Sequence, residues 1–153
     1  MSTWGAGDGI VEFPNGLRIR GRGLRRRTDP VDVPEFGVYL TGREPRFLTG
    51  RAPQVTSWPY RWVRWRDFRL PDSTSAAVNA LDEAYQRAGS ERVEIACGGG
   101  IGRTGTALAV LAVMSGVPSI EAVAWVRTHY HRRAVETRSQ KRWVREVATA
   151  LRP

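Results

Sequence analysis

Cys97 and Arg103 stand six positions apart in the stretch Cys97-Gly98-Gly99-Gly100-Ile101-Gly102-Arg103-Thr104-Gly105. A thiolate is a strong nucleophile, and an arginine fork holds two oxygens of one phosphate. Glycines let backbone N–H groups converge on an anion, and a helix start adds about half a positive charge. The same positive surroundings favour the ionised form of a cysteine. The residue types therefore suit attack of sulfur on phosphorus. Arg103 and the amides of Gly98, Gly99, Gly100, Ile101, Gly102 and Arg103 would hold the oxygens. The Thr104 hydroxyl could donate to the sulfur and ease its departure. A plainer alternative is a buried, inert cysteine before a turn that only packs. The arginine and threonine at matching positions weigh against it.

Two other loop chemistries fit less well. Gly100, Gly102 and Gly105 match G-x-G-x-x-G, but a dinucleotide site wants an acidic residue after a second strand about 20 positions on. That region is Ala124-Trp125-Val126, inside a helical pattern. A nucleoside-triphosphate loop needs Gly where Cys97 stands and Lys where Arg103 stands.

The loop needs a strand before it and a helix after it. Val93-Glu94-Ile95-Ala96, bounded by Gly89-Ser90, predicts a buried strand. Thr106 to Met114 is apolar nearly all round and stops at Ser115-Gly116, which predicts a core helix.

The pattern C-x5-R-[ST] resembles the signature of the cysteine-dependent protein tyrosine phosphatases, over Cys97 to Gly105. It departs at Ala96, where that family usually has His, so one support of the thiolate and loop is missing. Trp65-Arg66-Asp67, with Pro71 four residues on, resembles the family's mobile Trp-Pro-Asp loop, with Arg66 in place of Pro. The resemblance implies that Asp67 is the general acid, and expelling an alkoxide or phenoxide asks for one. Asp72 is a rival. It precedes Ser73-Thr74-Ser75 and is read instead as the cap of the next helix. Glu136-Thr137-Arg138-Ser139-Gln140 resembles the family's Q-T-x-x-Q loop, with Glu for the first Gln. Two roles stay open for Gln140. Thr137-x-x-Gln140 is a capping box, and the resemblance implies that Gln140 orients the hydrolytic water.

The rest of the chain frames these patches. Its 153 residues suit one domain with a real core. Residues 1–9 are small and polar and are expected to be loose. Ile10–Phe13 and Leu17–Arg20 alternate around Pro14-Asn15-Gly16, which predicts a β-hairpin. Arg25-Arg26-Arg27 reads as a solvated edge or, more sharply, as a substrate-facing rim. Gly37–Leu40, Arg46–Leu48 and Arg61–Trp65 read as strands. Ser73 to Ala88 and Ala122 to His131 read as helices, as does the apolar spacing from Trp143 to Leu151. His129 and His131 point apart on a helix, so they are read as surface residues that share no metal.

The expected fold is α/β: a central mixed sheet with a parallel core flanked by helices, and an N-terminal hairpin. A parallel pair of strands ending near 65 and 96 is joined by the helix after 73. The expected function is hydrolysis of phosphate monoesters on phosphoproteins, most readily phosphotyrosine, with phosphoserine and phosphothreonine as a broader range. The alternatives are a phosphate-binding module without turnover, and a phosphatase of RNA 5′ ends or phosphoinositides. The formal net charge is +9, which favours anionic partners such as phosphoproteins, nucleic acid or acidic surfaces. A phosphorylated protein is the expected one, with nucleic acid a partner not favoured over it. No metal or organic cofactor is expected, since cations and amides already balance the charge. No apolar run is long enough to span a bilayer, no secretory leader is visible, and the single Cys has no disulfide partner. Together these suggest a reducing cytoplasm.

Overall fold

A computed structural model describes residues 3–25, 33–45 and 58–151. The expected strand Arg46–Leu48 and residues Arg26 and Arg27 lie outside them. Five strands form one sheet: β1 (Ile10–Glu12), β2 (Arg18–Gly23), β3 (Phe36–Thr41), β4 (Tyr60–Arg64) and β5 (Val93–Cys97). Four helices accompany them: α1 (Thr74–Arg87), α2 (Gly102–Met114), α3 (Ala122–His129) and α4 (Arg138–Leu151). The sheet order is β1-β2-β5-β3-β4. β1 and β2 are the antiparallel hairpin, while β2, β5, β3 and β4 run parallel. The mixed sheet with a parallel core is therefore present. However, the strands ending near 65 and 96 are not neighbours. β3 lies between β4 and β5 and pairs with both.

Alternation along the strands splits the sheet into two faces. Ile19, Val38, Val63 and Ile95 face the helices in the main core. α1 packs on β3 and β4, while α2 packs on β5 and is flanked by α3 and α4. This central place explains the apolar surround of α2, on which every residue from Gly102 to Val113 is buried. α1 is capped by Ser73, whose hydroxyl accepts from the Ala76 amide at 3.1 Å. Asp72 is not the cap. It turns back to Arg64 at 3.5 Å and Arg66 at 3.9 Å. The N-terminal stretch carries an anchor: Trp4 is buried, donates to the Val93 carbonyl at 2.7 Å and lies under the Arg20 guanidinium.

The other face is polar at its centre. Glu94 on β5 has no exposed surface. Arg20 donates to its carboxylate at 2.8 Å, Arg22 at 2.6 and 2.9 Å, and the Tyr39 hydroxyl at 2.6 Å. The Trp58 indole in turn donates to Tyr39 at 2.7 Å. Burial alone would raise the Glu94 carboxyl. The Arg22 hydrogen bond and charge, the Arg20 charge and the Tyr39 hydroxyl outweigh it and hold the carboxyl below the usual range. Burial and the adjacent carboxylate drive the Tyr39 phenol upward. The cluster ties β2, β5 and β3 together just before the turn that follows Cys97.

A carboxyl lowered by folding stabilises the fold above its unfolded value, about 4.3, and that contribution is lost as pH falls through the folded value. Glu94→Gln leaves two buried guanidiniums without a counter-charge and should cost about 3–5 kcal/mol at pH 7. Urea unfolding at pH 7 and at pH 3 tests this. The gap between variant and wild type should narrow at the lower pH, and a gap independent of pH would contradict it.

Candidate active site

β5 ends at Cys97 and α2 begins at Gly102, so residues 98–101 make the whole turn. β2 shapes it. The Leu24 amide donates to the Cys97 carbonyl at 2.8 Å and the Arg25 amide to the Gly98 carbonyl at 3.3 Å. In a trans peptide the N–H points opposite to the C=O. Those two bonds therefore turn the Gly98 and Gly99 amides away from β2. Gly100 has φ +76°, and a Cβ there would stand 2.4 Å from the Gly23 nitrogen. A Cβ at Gly23 would stand 2.7 Å from the Gly99 carbonyl oxygen. The loop curls this tightly only because both facing positions are glycine. The Gly100 amide donates to the Cys97 sulfur at 3.2 Å. Tyr130, at the end of α3, donates its hydroxyl to the Gly100 carbonyl and so props the turn from outside.

Arg103 is 6% exposed and joins two loops. Its Nη1 donates to the Trp65 carbonyl at 2.9 Å, and its Nε lies 3.6 Å from Asp67 Oδ1. Its Nη2 lies 3.3 Å from the point where a Cβ of Gly98 would stand. The guanidinium thus folds back over the residue that follows the cysteine.

The acid-bearing loop is closed by Trp65. That residue is fully buried, stacks edge-to-face on Trp143 at 5.3 Å, bridges to Pro71, and donates its indole N–H to the Arg69 carbonyl at 2.7 Å. Asp67 sits at the turn with its side chain 48% exposed, accepting from the Phe68 amide at 3.1 Å. Phe68 has φ +60°. The other non-glycine residue with positive φ among those described is Val135, at +66°, next to Glu136. Such conformations cost about 1–3 kcal/mol each and gather at functional sites. Phe68 lies within the Trp65–Pro71 patch singled out for chemistry, and Val135 borders the one that begins at Glu136.

Gln140 is fully buried and its capping role is present. Its Oε1 accepts from the Glu136 and Thr137 amides at 2.9 and 3.2 Å, and Thr137 Oγ1 accepts from the Gln140 amide at 3.1 Å. Its Nε2 donates to the Arg69 carbonyl at 3.1 Å, linking α4 to the acid-bearing loop. Thr104 Oγ1 is buried without a hydrogen-bond partner among the described residues, so no bond to the Cys97 sulfur is formed. A buried lone hydroxyl costs about 1–3 kcal/mol.

Two contributors escaped the sequence reading. Tyr130 touches a loop 30 positions away, and no local pattern announces that. Glu136 is exposed, yet its carboxylate lies against Gly102, where a Cβ would meet Oε1 at 1.9 Å. The sequence marked it only as a departure from the Q-T-x-x-Q form. Among the described residues no cluster of ligating side chains suits a metal, and His129 and His131 each bond locally. No helix among them is long and apolar enough to cross a membrane.

Two uncharacterized proteins of Methanocaldococcus jannaschii are each 40% identical over 127 residues, covering 76% of this chain and 79% and 85% of theirs. The crystal structure of Tk-PTP in its active form superposes with a TM-score of 0.70 at 25% identity, covering 91% of this chain and 96% of that one. Kinase associated phosphatase, with its catalytic-site cysteine replaced by serine, gives 0.70 at 14% identity over 97% and 98% of the two chains. That second likeness is one of fold alone. Residues 39–149 match the family model for protein-tyrosine phosphatase. Since that match takes in the end of β3, all of β4 and β5 and the whole Cys97–Arg103 turn, the chain belongs to the protein-tyrosine phosphatase family of cysteine-based phosphatases.

Proposed function

We propose that this phosphatase hydrolyses phosphate monoesters on phosphoproteins, with phosphotyrosine as its best substrate, through a phosphate carried on Cys97. The observation that supports this most is the Arg103 guanidinium, which donates through Nη1 to the Trp65 carbonyl, stands near Asp67 with Nε and lies beside Gly98 with Nη2. In the first step the Cys97 thiolate attacks phosphorus in line. The S–P bond forms as the bond to the leaving oxygen breaks, and Asp67 delivers a proton to that oxygen. Arg103 and the amides of residues 98–103 hold the other oxygens, where charge gathers. In the second step water attacks phosphorus, Asp67 takes its proton and the thiolate leaves. Thr104, with its free hydroxyl, turns to donate to the departing sulfur. One hydrogen of Gln140 Nε2 remains to orient the water. No metal or organic cofactor enters this scheme. A lone cysteine nucleophile works best where thiols stay reduced, as in the cytoplasm.

A panel of phosphotyrosine, phosphoserine and phosphothreonine peptides tests this reading. Cys97→Ser should abolish turnover of all, and Asp67→Ala should lower kcat by about 10² to 10⁴. Turnover surviving in Cys97→Ser would overturn the mechanism. Binding of vanadate without any turnover of para-nitrophenyl phosphate by wild type would make the site a binding module.

Glu136 places a negative charge beside Gly102, where the substrate's own charge gathers. Like charges about 4 Å apart in water oppose each other by about 1 kcal/mol. Glu136→Gln should therefore tighten inorganic phosphate about fivefold at pH 7 and low salt, with the gain shrinking as salt rises. An inhibition constant unchanged at low salt would place the carboxylate outside the field of the site.

A further inference from the structure

The Arg25 guanidinium has no role in the scheme above. Its backbone amide is fixed to the Gly98 carbonyl, so residue 25 continues β2 alongside the phosphate-type loop. Its side chain is exposed. Its Nη2 lies 3.3 Å from the point where a Cβ of Gly98 would stand, the same distance from the same point as Nη2 of Arg103. Two guanidiniums therefore converge across a residue with no side chain to separate them. Like charges held this near repel, and Asp67 offsets only the Arg103 side. An anion touching both would relieve the repulsion, and each fork can offer paired N–H groups to phosphoryl oxygens.

We propose that Arg25 is a specificity-determining residue of this site, binding a second phosphoryl group joined to the one that Arg103 and the loop amides hold. The ligand class is condensed phosphate, in which two highly charged groups share one oxygen. A phosphomonoester presents one such group and leaves Arg25 unused. Arg103 is buried and faces the loop, whereas Arg25 is exposed at the rim. The phosphoryl group on Arg103 is thus the one above Cys97, and the group on Arg25 lies on the leaving side. The proposal rests on the reading of residues 97–105 as a phosphate site and extends its substrates beyond phosphoproteins.

Calorimetric titration of the full chain with inorganic phosphate and with methylenediphosphonate, a diphosphate analogue that resists hydrolysis, tests it without relying on turnover. Wild type should bind the diphosphonate about tenfold more tightly than phosphate, the value of one charge-assisted contact. Arg25→Ala should erase that preference while leaving the phosphate Kd within about twofold, and Arg25→Lys should keep part of it as a point charge. A wild type without the preference, or an Arg25→Ala variant that keeps it or weakens both ligands alike, would overturn the proposal. Failure of wild type to bind phosphate at all would overturn the phosphate-site reading with it. A free polyphosphate and an RNA 5′-triphosphate share this chemistry. Titrations with tripolyphosphate, a 5′-triphosphorylated oligonucleotide and its 5′-hydroxyl counterpart tell the two sources apart.

Discussion

A guanidinium buried to the extent of Arg103 cannot leave its donors to water, so its partners must come from the protein or from a ligand. The protein supplies only part of them. Trp65 gives a carbonyl to one nitrogen, and Asp67 stands near Nε without a hydrogen bond. Nη2 of Arg103 lies beside Gly98. The residue that would hold phosphate is thus also the residue that fixes where the acid-bearing loop begins. Two segments far apart in sequence meet on one side chain.

Everything behind that side chain keeps it in place. Gly23 and Gly100 let the turn lie on β2 at backbone distance. Glu94 gathers Arg20, Arg22 and Tyr39 on the face away from the helices, which fixes the mutual register of the three strands beneath the turn. Tyr130 braces the turn from α3. Gln140 and the Trp65 indole both donate to the Arg69 carbonyl, so α4 and β4 share the closing of the acid-bearing loop. The strained backbones at Phe68 and Val135 lie next to Arg69 and Glu136, whose backbone carbonyl and amide bond to Gln140.

Much of this was legible from local spacing. The six-residue separation of Cys97 and Arg103, the Pro14-Asn15-Gly16 hairpin, the apolar run of α2 and the Thr137–Gln140 box are short-range patterns, and each is present in the fold. What failed to show were relations through space. Nothing in Arg61–Trp65 or Val93–Ala96 says that β3 inserts between them. The choice between Asp72 and Ser73 as cap was decided by Arg64 and Arg66, which draw the carboxylate away from the helix. Glu94 looks like an interruption in an apolar strand until its partners on β2 and β3 are seen. The nearness of Glu136 to Gly102, and of Arg25 to Gly98, follows only from the folded loop.

Acid-quench trapping during turnover of a phosphotyrosine peptide, with the label mapped by mass spectrometry, probes the shared guanidinium in wild type and in Arg103→Lys. A lysine keeps the charge but cannot span two loops and grip two oxygens together. Wild type should carry phosphate on Cys97, and Arg103→Lys, folded to the same extent, should carry almost none. Label on Cys97 at the wild-type level in Arg103→Lys would show that the two loops do not depend on that side chain.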